Sequence, residues 1–449
     1  MLTENVQSLI IILVFVGVIV AIAFDIIDML LAALLGVSVL IFAGIFTQQD
    51  VLNVTQTAGG PIALLFGGMV VARVLAPTGL FEYVGSRYVL ATKGSGKRFL
   101  LSLFLLVAPV CSILPNATAV ILLAPIIIRV ARALEVDFVG PMILTAIISN
   151  SAGLLTLVGD PATFLIGSSI GMTFNEYLRK VSIGGLLAVV TLAPLLPWLM
   201  KDLWRTRRTL PPDLKPSPLE RPALCLFALL IMAFMVFLFL FSDMLPNKIV
   251  PPAVAIIAAS LGLLLVYTAK IEPVVKVLQD LDWRTILFLI CLFCLVEAFT
   301  KTGIIQSMSQ NLYTWFDTRL ILISMIILVG VSFTSSLLAN IPVVAAMLLM
   351  VRSYLVTAEL VPEQALAAAF TDWPAKVMPM FVAMMFAGTL GGNATLIGAS
   401  ANVVSVGICA SQGKQVSFVT FMRYGVPLTI CQMIVSALYV LALFYFVRG

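Results

Sequence analysis

Polar residues that could bind a solute or an ion are concentrated in four short stretches of a mostly apolar chain, residues 111–118, 149–167, 335–342 and 388–404. These stretches are rich in serine, threonine, asparagine and glycine, whose hydroxyl, amide and backbone groups can hold an anion or a cation by direct contact. Asp160 is the one carboxylate within them, and the chain contains no histidine. These residue types therefore favour binding and ion coupling rather than imidazole-based catalysis.

The elements that carry these stretches must lie in a membrane. The chain has 449 residues, of which 61% are hydrophobic and 10% charged, with a mean hydropathy of +1.15. This composition lies far outside the range of soluble domains and predicts a multi-pass integral membrane protein. We interpret the first apolar run, residues 6–24, as a membrane span, because it lacks the basic n-region of a signal peptide. The net charge of +5 is attributed mostly to cytoplasmic loops and indicates no nucleic-acid partner.

Other site types are not favoured by the sequence. The six cysteines all lie in apolar segments, so we expect neither a disulfide framework nor a zinc site. Cys291 and Cys294 have CxxC spacing, but within a helix they share one face, and packing accounts for them. The sequence contains no phosphate-binding loop for ATP and no nucleophile paired with a base, so we predict that the protein is not an enzyme and has no cofactor beyond a coupling ion.

Two of the polar stretches should break a membrane helix. Residues 388–404 contain four glycines between apolar segments, and Thr-Leu-Ile-Gly at 395–398 matches Thr-Leu-Val-Gly at 156–159 in the other stretch. In hydrocarbon each freed backbone amide or carbonyl costs several kcal/mol, so broken helices occur where they line a cavity or an ion site. Two such breaks in corresponding halves of a chain are the best sequence indication of a transport site.

Apolar runs long enough to cross a bilayer predict ten spans and two re-entrant hairpins. The first hairpin covers residues 99–130 and the second residues 320–356, each with a polar tip. The predicted spans, two of them broken, are residues 6–24, 29–46, 61–77, 139–171, 181–200, 223–241, 250–267, 286–300, 377–410 and 425–447.

The two halves correspond at fixed offsets. Asn116 and Asn340 are separated by 224 positions, and Thr156 and Thr395 by 239. Five spans per half require the second copy to enter the membrane from the opposite side, so we expect inverted repeats. The first repeat covers residues 1–200, with scaffold spans in 1–80 and hairpin plus broken helix in 99–171. The second covers 223–449, with scaffold spans in 223–300 and hairpin plus broken helix in 320–410. Residues 201–222 form the linker, which is cytoplasmic if basic residues lie inside.

Several motifs resemble those of a known transporter group. Gly-Gly-Asn-Ala-Thr-Leu-Ile-Gly-Ala-Ser-Ala-Asn-Val-Val at 391–404, Val-Gly-Asp-Pro at 158–161, Leu-Leu-Ala-Pro at 122–125 and Asn-Ile-Pro at 340–342 occur in the expected order. Together they resemble the arsenite-efflux, P-protein and citrate-transporter-like branch of the ion transporter superfamily, which is related to sodium/proton antiporters and divalent anion/sodium symporters. The resemblance covers nearly the whole chain.

The resemblance implies an all-α polytopic membrane protein with two inverted five-span repeats, each with a re-entrant hairpin and a broken helix. It also implies an elevator-type transporter that forms a homodimer in a prokaryotic inner or plasma membrane. The hairpin tips and breaks would then hold the substrate and ion. The predicted binding residues are Ser112, Asn116, Thr118, Asn150, Thr156, Gly159, Asp160, Thr163, Ser335, Ser336, Asn340, Asn393, Thr395, Gly398, Ser400 and Asn402.

This sequence departs from the family pattern at the tips and at the first break. Pro115 and Ala339 stand where related antiporters carry aspartate before the tip asparagine, which makes sodium/proton exchange less favoured. Thr163 stands where an amide is usual. Asp160 could bind a sodium ion or a proton, or it could cap the helix that follows. For Glu297 we expect an ion pair with Arg73, its counterpart in the other half.

The predicted function is secondary-active transport coupled to an ion gradient. The predicted solute is a small chloride-like anion, an oxyanion or metalloid such as arsenite or silicate, or a carboxylate. The polar stretches offer hydroxyl and amide donors but no fixed basic residue. The alternatives are a sodium/proton antiporter and, more remotely, a channel or a sensor that transports nothing. Coupling to ATP would need a separate ATPase subunit as a partner.

Overall fold

The computed structural model describes residues 4–448 apart from 24–25, 210–217, 242–243, 245–246, 248, 339 and 367–369. Within these residues the chain forms helices and no strand, which confirms the all-α prediction. Nine helices of the described chain are long and apolar enough to cross a membrane. Two residues used in the sequence predictions lie outside the described residues. They are Ala339 of the second tip and Lys215 of the basic linker.

The described part of the first half contains twelve α-helices, and short 3₁₀ or π turns connect several of them. In chain order they are α1 (Glu4–Ala23), α2 (Met29–Phe42), α3 (Gln48–Leu75), α4 (Leu80–Thr92), α5 (Gly96–Cys111), α6 (Asn116–Ala133), α7 (Val139–Ala152), α8 (Pro161–Ser169), α9 (Phe174–Tyr177), α10 (Ile183–Val190), α11 (Leu196–Leu199) and α12 (Lys201–Arg205).

The second half contains ten α-helices in the described residues. They are α13 (Pro222–Phe241), α14 (Pro251–Thr268), α15 (Val274–Gln279), α16 (Trp283–Thr300), α17 (Ile304–Phe316), α18 (Leu320–Leu337), α19 (Asn340–Thr357), α20 (Met378–Gly391), α21 (Ser400–Ser411) and α22 (Phe418–Arg448).

The third helix begins earlier than the hydropathy pattern indicates. α3 starts at Gln48, whereas the sequence predicts a span from residue 61. Thr47 and Asp50 form a reciprocal capping box that fixes this start, and the polar residues of the first turns include Asn53 and Gln56 on the wall of a cavity. Because polar side chains facing a cavity lower the local hydropathy, a search for apolar runs misses this part of the helix.

Ion pairs hold both ends of α3 to the neighbouring helices. Near its start, Lys301 at the end of α16 lies 2.6 Å from the Asp50 carboxylate. Near its end, Arg73 lies 2.9 Å from Glu272 and 2.7 Å from Asp280, both in the segment that leads into α16. These contacts hold α3 to α16 near its start and to the segment before α16 near its end.

The predicted pair between Arg73 and Glu297 is wrong. Glu297 instead accepts a hydrogen bond from the side-chain amide of Asn53, at 2.7 Å. Asn53 and Arg73 lie on the same helix, and at 1.5 Å per residue they are about 30 Å apart along its axis. Glu297 therefore belongs to the opposite end of α3 from Arg73.

Each half contains a helical hairpin at the predicted place. α5 and α6 are joined by residues 112–115, and α18 and α19 by residues 338–339. Preceding each hairpin is an amphipathic helix that packs on the second helix of the hairpin, α4 on α6 and α17 on α19. The order of arm, hairpin and broken helix is therefore the same in both halves.

Both predicted helix breaks are present. Between α7 and α8 the chain forms one 3₁₀ turn and then an irregular segment, and α20 and α21 are separated by residues 392–399. Our interpretation of Gly388 and Gly391 as helix breakers is wrong, because both lie inside α20. A Cβ at Gly388 would lie 2.3 Å from Val344 Cγ2, and one at Gly391 would lie 2.4 Å from the Ser332 carbonyl oxygen. These glycines let α20 pack tightly against the second hairpin.

Candidate functional site

Each helix break is built around a close contact between two glycines. A Cβ at Gly159 would lie 2.8 Å from the carbonyl oxygen of Gly153, and a Cβ at Gly398 would lie 2.6 Å from that of Gly392. Real Cβ atoms do not approach other atoms so closely, so both positions require glycine. The backbone can then turn back on itself and leave polar groups outside the helical hydrogen-bond pattern.

A threonine in each break binds the hairpin tip of the same half. The Thr156 hydroxyl donates to the carbonyl oxygen of Ser112, and the Thr395 hydroxyl donates to that of Ser336. Ser112 and Ser336 each lie four residues before the tip asparagine. Break and tip are therefore joined in the same way in the two halves.

Asp160 lies where the two halves meet, and it is buried, with 3% of its surface exposed. Its carboxylate accepts from the backbone N–H of Thr163 at 3.3 Å, so it caps α8 as one of the two predicted roles requires. The same carboxylate also accepts from the Thr389 hydroxyl at 3.2 Å and from the Asn340 amide at 3.4 Å. Residues of the second half therefore contact the carboxylate of the first break.

Thr389 is a contact of Asp160 that was not among the predicted binding residues. It precedes the second break and reaches the carboxylate of the first. The offset of 239 that relates the two breaks pairs Thr389 with Asn150, which was predicted. Applying that offset to every predicted residue would have identified it.

Asn116, at the start of α6, lies next to this carboxylate. A Cβ at Gly153 would lie 2.9 Å from Asp160 Cβ and 3.3 Å from Asn116 Nδ2, so both side chains border the same glycine. Asn116 is 9% exposed, and its Oδ1 atom is buried without a hydrogen-bond partner among the described residues. A buried acceptor of this kind next to a carboxylate is suited to a bound cation or a proton donor.

Three of the predicted asparagines bind one another. Asn150 Nδ2 donates to Asn393 Oδ1 at 3.0 Å and to Asn402 Oδ1 at 2.9 Å. Asn402 Nδ2 in turn donates to the carbonyl oxygens of Gly392 and Thr395, both at 2.8 Å. All three asparagines are buried, so their amides hold the second break to α7 in this structure.

Two further residues that the sequence analysis missed complete this network. The amide nitrogen of Asn393 donates to Ser151 Oγ and to Gln432 Oε1, both at 3.0 Å. Gln432 Nε2 donates to Ser151 Oγ at 2.8 Å. Gln432 belongs to α22 and lies far in sequence from the polar stretches. It is part of no recognised motif, so nothing in the sequence predicts this contact.

The remaining predicted residues have different surroundings. The hydroxyls of Ser335 and Ser336 donate to the carbonyl oxygens of Gly388, at 2.6 Å, and Phe333, at 2.7 Å. Thr118 is half-buried on the first turn of α6. Ser400 is exposed at the first position of α21.

A large cavity lies beside the first break, with a volume of about 870 Å³. α3, α14 and α16 line one side of it, and α8 and α19 line the other. Its polar lining includes Glu297 and Arg352, of which Arg352 was not predicted. The guanidinium of Arg352 donates to the Ser169 carbonyl oxygen and lies 5.5 Å from the centre of the Trp373 ring.

Comparison with known proteins shows which family has these features. A family model described as citrate transporter, CitMHS, matches residues 19–371. A protein of Synechocystis named as an uncharacterized transporter is 39% identical, with both chains covered in full. A transporter of Mycobacterium tuberculosis, also named as uncharacterized, is 32% identical over 99% of this chain and 100% of its own. The human P protein is 26% identical over 95% of this chain and 58% of its own.

These matches confirm the resemblance inferred from the motifs. They extend over the hairpins and the first break, and the family model and both bacterial relatives carry the names of transporters rather than enzymes. Bacterial relatives of this kind indicate the plasma membrane as the location. The chain is a multi-pass membrane transporter and belongs to the citrate transporter family.

Proposed function

We propose that the protein is a secondary-active transporter of a small anion, which could be an oxyanion, a metalloid acid or a carboxylate. The observation that carries this proposal is the contact of Asp160 with Asn340 and Thr389, because it brings the first break and the second tip to one place. The matching family model is described as a citrate transporter, and this supports a carboxylate as one solute to test first.

The solute would bind through neutral donors. α21 begins at the second break, where no side chain caps it and its first backbone N–H groups favour negative charge. The start of α8 is already capped by the Asp160 carboxylate, so α21 is the better helix start for an anion. The amides of Asn116 and Asn340 lie at the starts of α6 and α19 and would add donors from the two tips. Such a site suits a small solute of low charge, because no Lys or Arg occurs in the tips or breaks.

A coupling ion, sodium or a proton, would bind at Asp160. The carboxylate is buried, and the free Oδ1 of Asn116 lies nearby across Gly153. Carboxylate, amide and unwound carbonyl oxygens are groups that coordinate sodium in transporters with broken helices. Occupation by an ion would also compensate a charge that is costly at membrane depth.

Transport would follow an elevator mechanism within two inverted repeats. Correspondence at offsets of 224 and 239 supports the repeats, since Ser112 matches Ser336 and Thr156 matches Thr395 in identical contacts. In this proposal the hairpins and broken helices of 99–171 and 320–410 move together against scaffold spans in 1–80 and 223–300. The scaffold would form a homodimer, and the linker at 201–222 would be cytoplasmic.

The first experiment is a thermal-shift screen of the purified protein against chloride, sulfate, arsenite, silicate, citrate, sodium and lithium. Proteoliposomes then test uptake of each stabilising anion under a sodium or a pH gradient. We expect saturable uptake with counterflow. Conductance without saturation would contradict the proposal and indicate a channel.

Asp160→Asn tests the coupling site. The variant retains the size of the side chain and removes its charge, so we expect it to bind the solute but to lose uptake driven by the gradient. Asp372→Asn, at an exposed carboxylate, is the control and should behave like the wild type. If a sodium gradient moves protons without any anion, and Asp160→Asn abolishes this movement, the sodium/proton antiporter is the better description.

A further inference from the structure

The large cavity, which we call the vestibule, shares a wall with a second and much smaller cavity. The small cavity has a volume of about 20 Å³, space for about one water molecule. It lies against Pro115 of the first tip and Gly159 of the first break. Phe164 and Pro61 line both cavities, so they lie between the vestibule and the small cavity, which Gly159 of the predicted binding residues also lines.

The ring of Phe164 packs against the backbone of α3 at Gly60, in the wall between the two cavities. A Cβ at Gly60 would lie 3.3 Å from Phe164 Cε1 and 3.4 Å from Pro252 Cγ, so the ring fills the space that a side chain at position 60 would need. Phe164 is 3% exposed and lies on the second turn of α8, directly after the break. Because residue 60 is glycine, no side chain from this position of α3 enters the gap beside the Phe164 ring and Pro252.

We propose that Phe164 is a gate between the vestibule and the binding residues, and that its clearance against Gly60 sets the size of solute that passes. The gate opens when the ring rotates or when α8 shifts along α3. Compact anions pass with a small displacement of the ring, whereas bulky ones need a larger one. This inference rests on the proposed function, since it takes the vestibule as the route of the solute.

Transport measurements test the contact directly. Gly60→Val adds methyl groups against the Phe164 ring, and we expect uptake at least about tenfold slower, because overpacking raises the cost of moving the ring. Gly59→Val is the matched control, since a Cβ at Gly59 meets no atom within 4 Å and the change in helix propensity is the same. The double variant Gly60→Val with Phe164→Ala should recover uptake. Equal effects of the two valine variants, or no recovery, would overturn the inference.

Thiol labelling tests the gate without any solute. Val158 lines the small cavity and Ser168 lines the vestibule, so cysteines at these positions report access on either side of Phe164. With a membrane-impermeant methanethiosulfonate reagent, Ser168→Cys should react quickly and Val158→Cys at least about tenfold more slowly, above the background of the parent protein. Adding Phe164→Ala should accelerate labelling of Val158→Cys and leave that of Ser168→Cys unchanged.

The two measurements separate failure of the gate from failure of the proposed function. Rapid labelling of Val158→Cys while Phe164 is intact, or no acceleration by Phe164→Ala, would show that the ring is no barrier. A wild-type protein that takes up none of the anions tested, but shows the expected labelling, would leave the gate supported and the proposed function contradicted.

Discussion

The amide nitrogen of Asn340 donates to the carboxylate of Asp160 at 3.4 Å, although the two residues are 180 positions apart in the chain. This distance lies beyond the usual range of 2.7–3.2 Å for such bonds, so the contact is weak as it stands. It joins the tip of the second hairpin to the break of the first half. A small movement of the tip would strengthen or release it, and in the proposed function this contact would couple the binding of the solute to that of the ion.

Alanine at either tip asparagine should remove solute binding. We expect Asn116→Ala and Asn340→Ala each to abolish the thermal stabilisation by anions, because both amides lie at the starts of hairpin helices next to Asp160. The variants should stay folded, as judged by their elution in size-exclusion chromatography. Asn311→Ala, at an exposed position on α17, serves as the control. Unchanged stabilisation in both tip variants would show that the tips do not bind the anion.

Asn393→Ala should instead destabilise the protein. The substitution removes one hydrogen bond each from the buried side chains of Asn150, Ser151 and Gln432, and leaving a buried polar group unsatisfied costs about 1–3 kcal/mol. We expect a clear fall in the melting temperature in detergent, and a larger one than for Asn340→Ala. A variant as stable as the wild type that no longer binds the anion would assign Asn393 to the binding site rather than to structure.

Alanine at Gly159 or Gly398, the glycines that make the close contact in each break, should disrupt the two breaks in the same way. A Cβ at position 159 or 398 would lie less than 3 Å from a carbonyl oxygen, so the backbone must shift in Gly159→Ala and in Gly398→Ala. We expect loss of uptake together with lower thermal stability in both. Gly407→Ala on α21 is the control, because a Cβ there meets no atom within 4 Å and should not destabilise the helix. Full uptake by Gly159→Ala or by Gly398→Ala would contradict this account of the breaks.

The partner of Arg73 can be identified by a double-mutant cycle. Arg73→Gln and Glu272→Gln should be non-additive, with a coupling of about 0.5–1 kcal/mol for a partly exposed pair. The cycle of Arg73→Gln with Glu297→Gln should show no coupling, since Glu297 lies near the other end of α3 and bonds to Asn53. Thermal unfolding of the four proteins in each cycle provides the measurement. Coupling in the second cycle alone would restore the pair predicted from sequence.

The places where helices end could be predicted from the sequence. The tips at Asn116 and Asn340 and the two breaks follow from proline, glycine and polar residues within apolar runs, and these are local preferences of the backbone. Local preferences of the backbone do not explain Gly388 and Gly391, because tight packing on a neighbouring helix also requires glycine. A search for apolar runs also does not predict the start of α3, because the polar residues there face a cavity rather than lipid.

By itself, then, the sequence determined that this is an all-α membrane protein of the transporter class, with two tips and two breaks in matching order. Only the tertiary structure decided which polar groups pair. Asp160 meets Thr389 and Asn340, Asn150 meets Asn393 and Asn402, and Arg73 meets Glu272 rather than Glu297. The physical reason is that a helix break depends on a few neighbouring residues, whereas a contact across more than 150 residues depends on how every intervening helix packs.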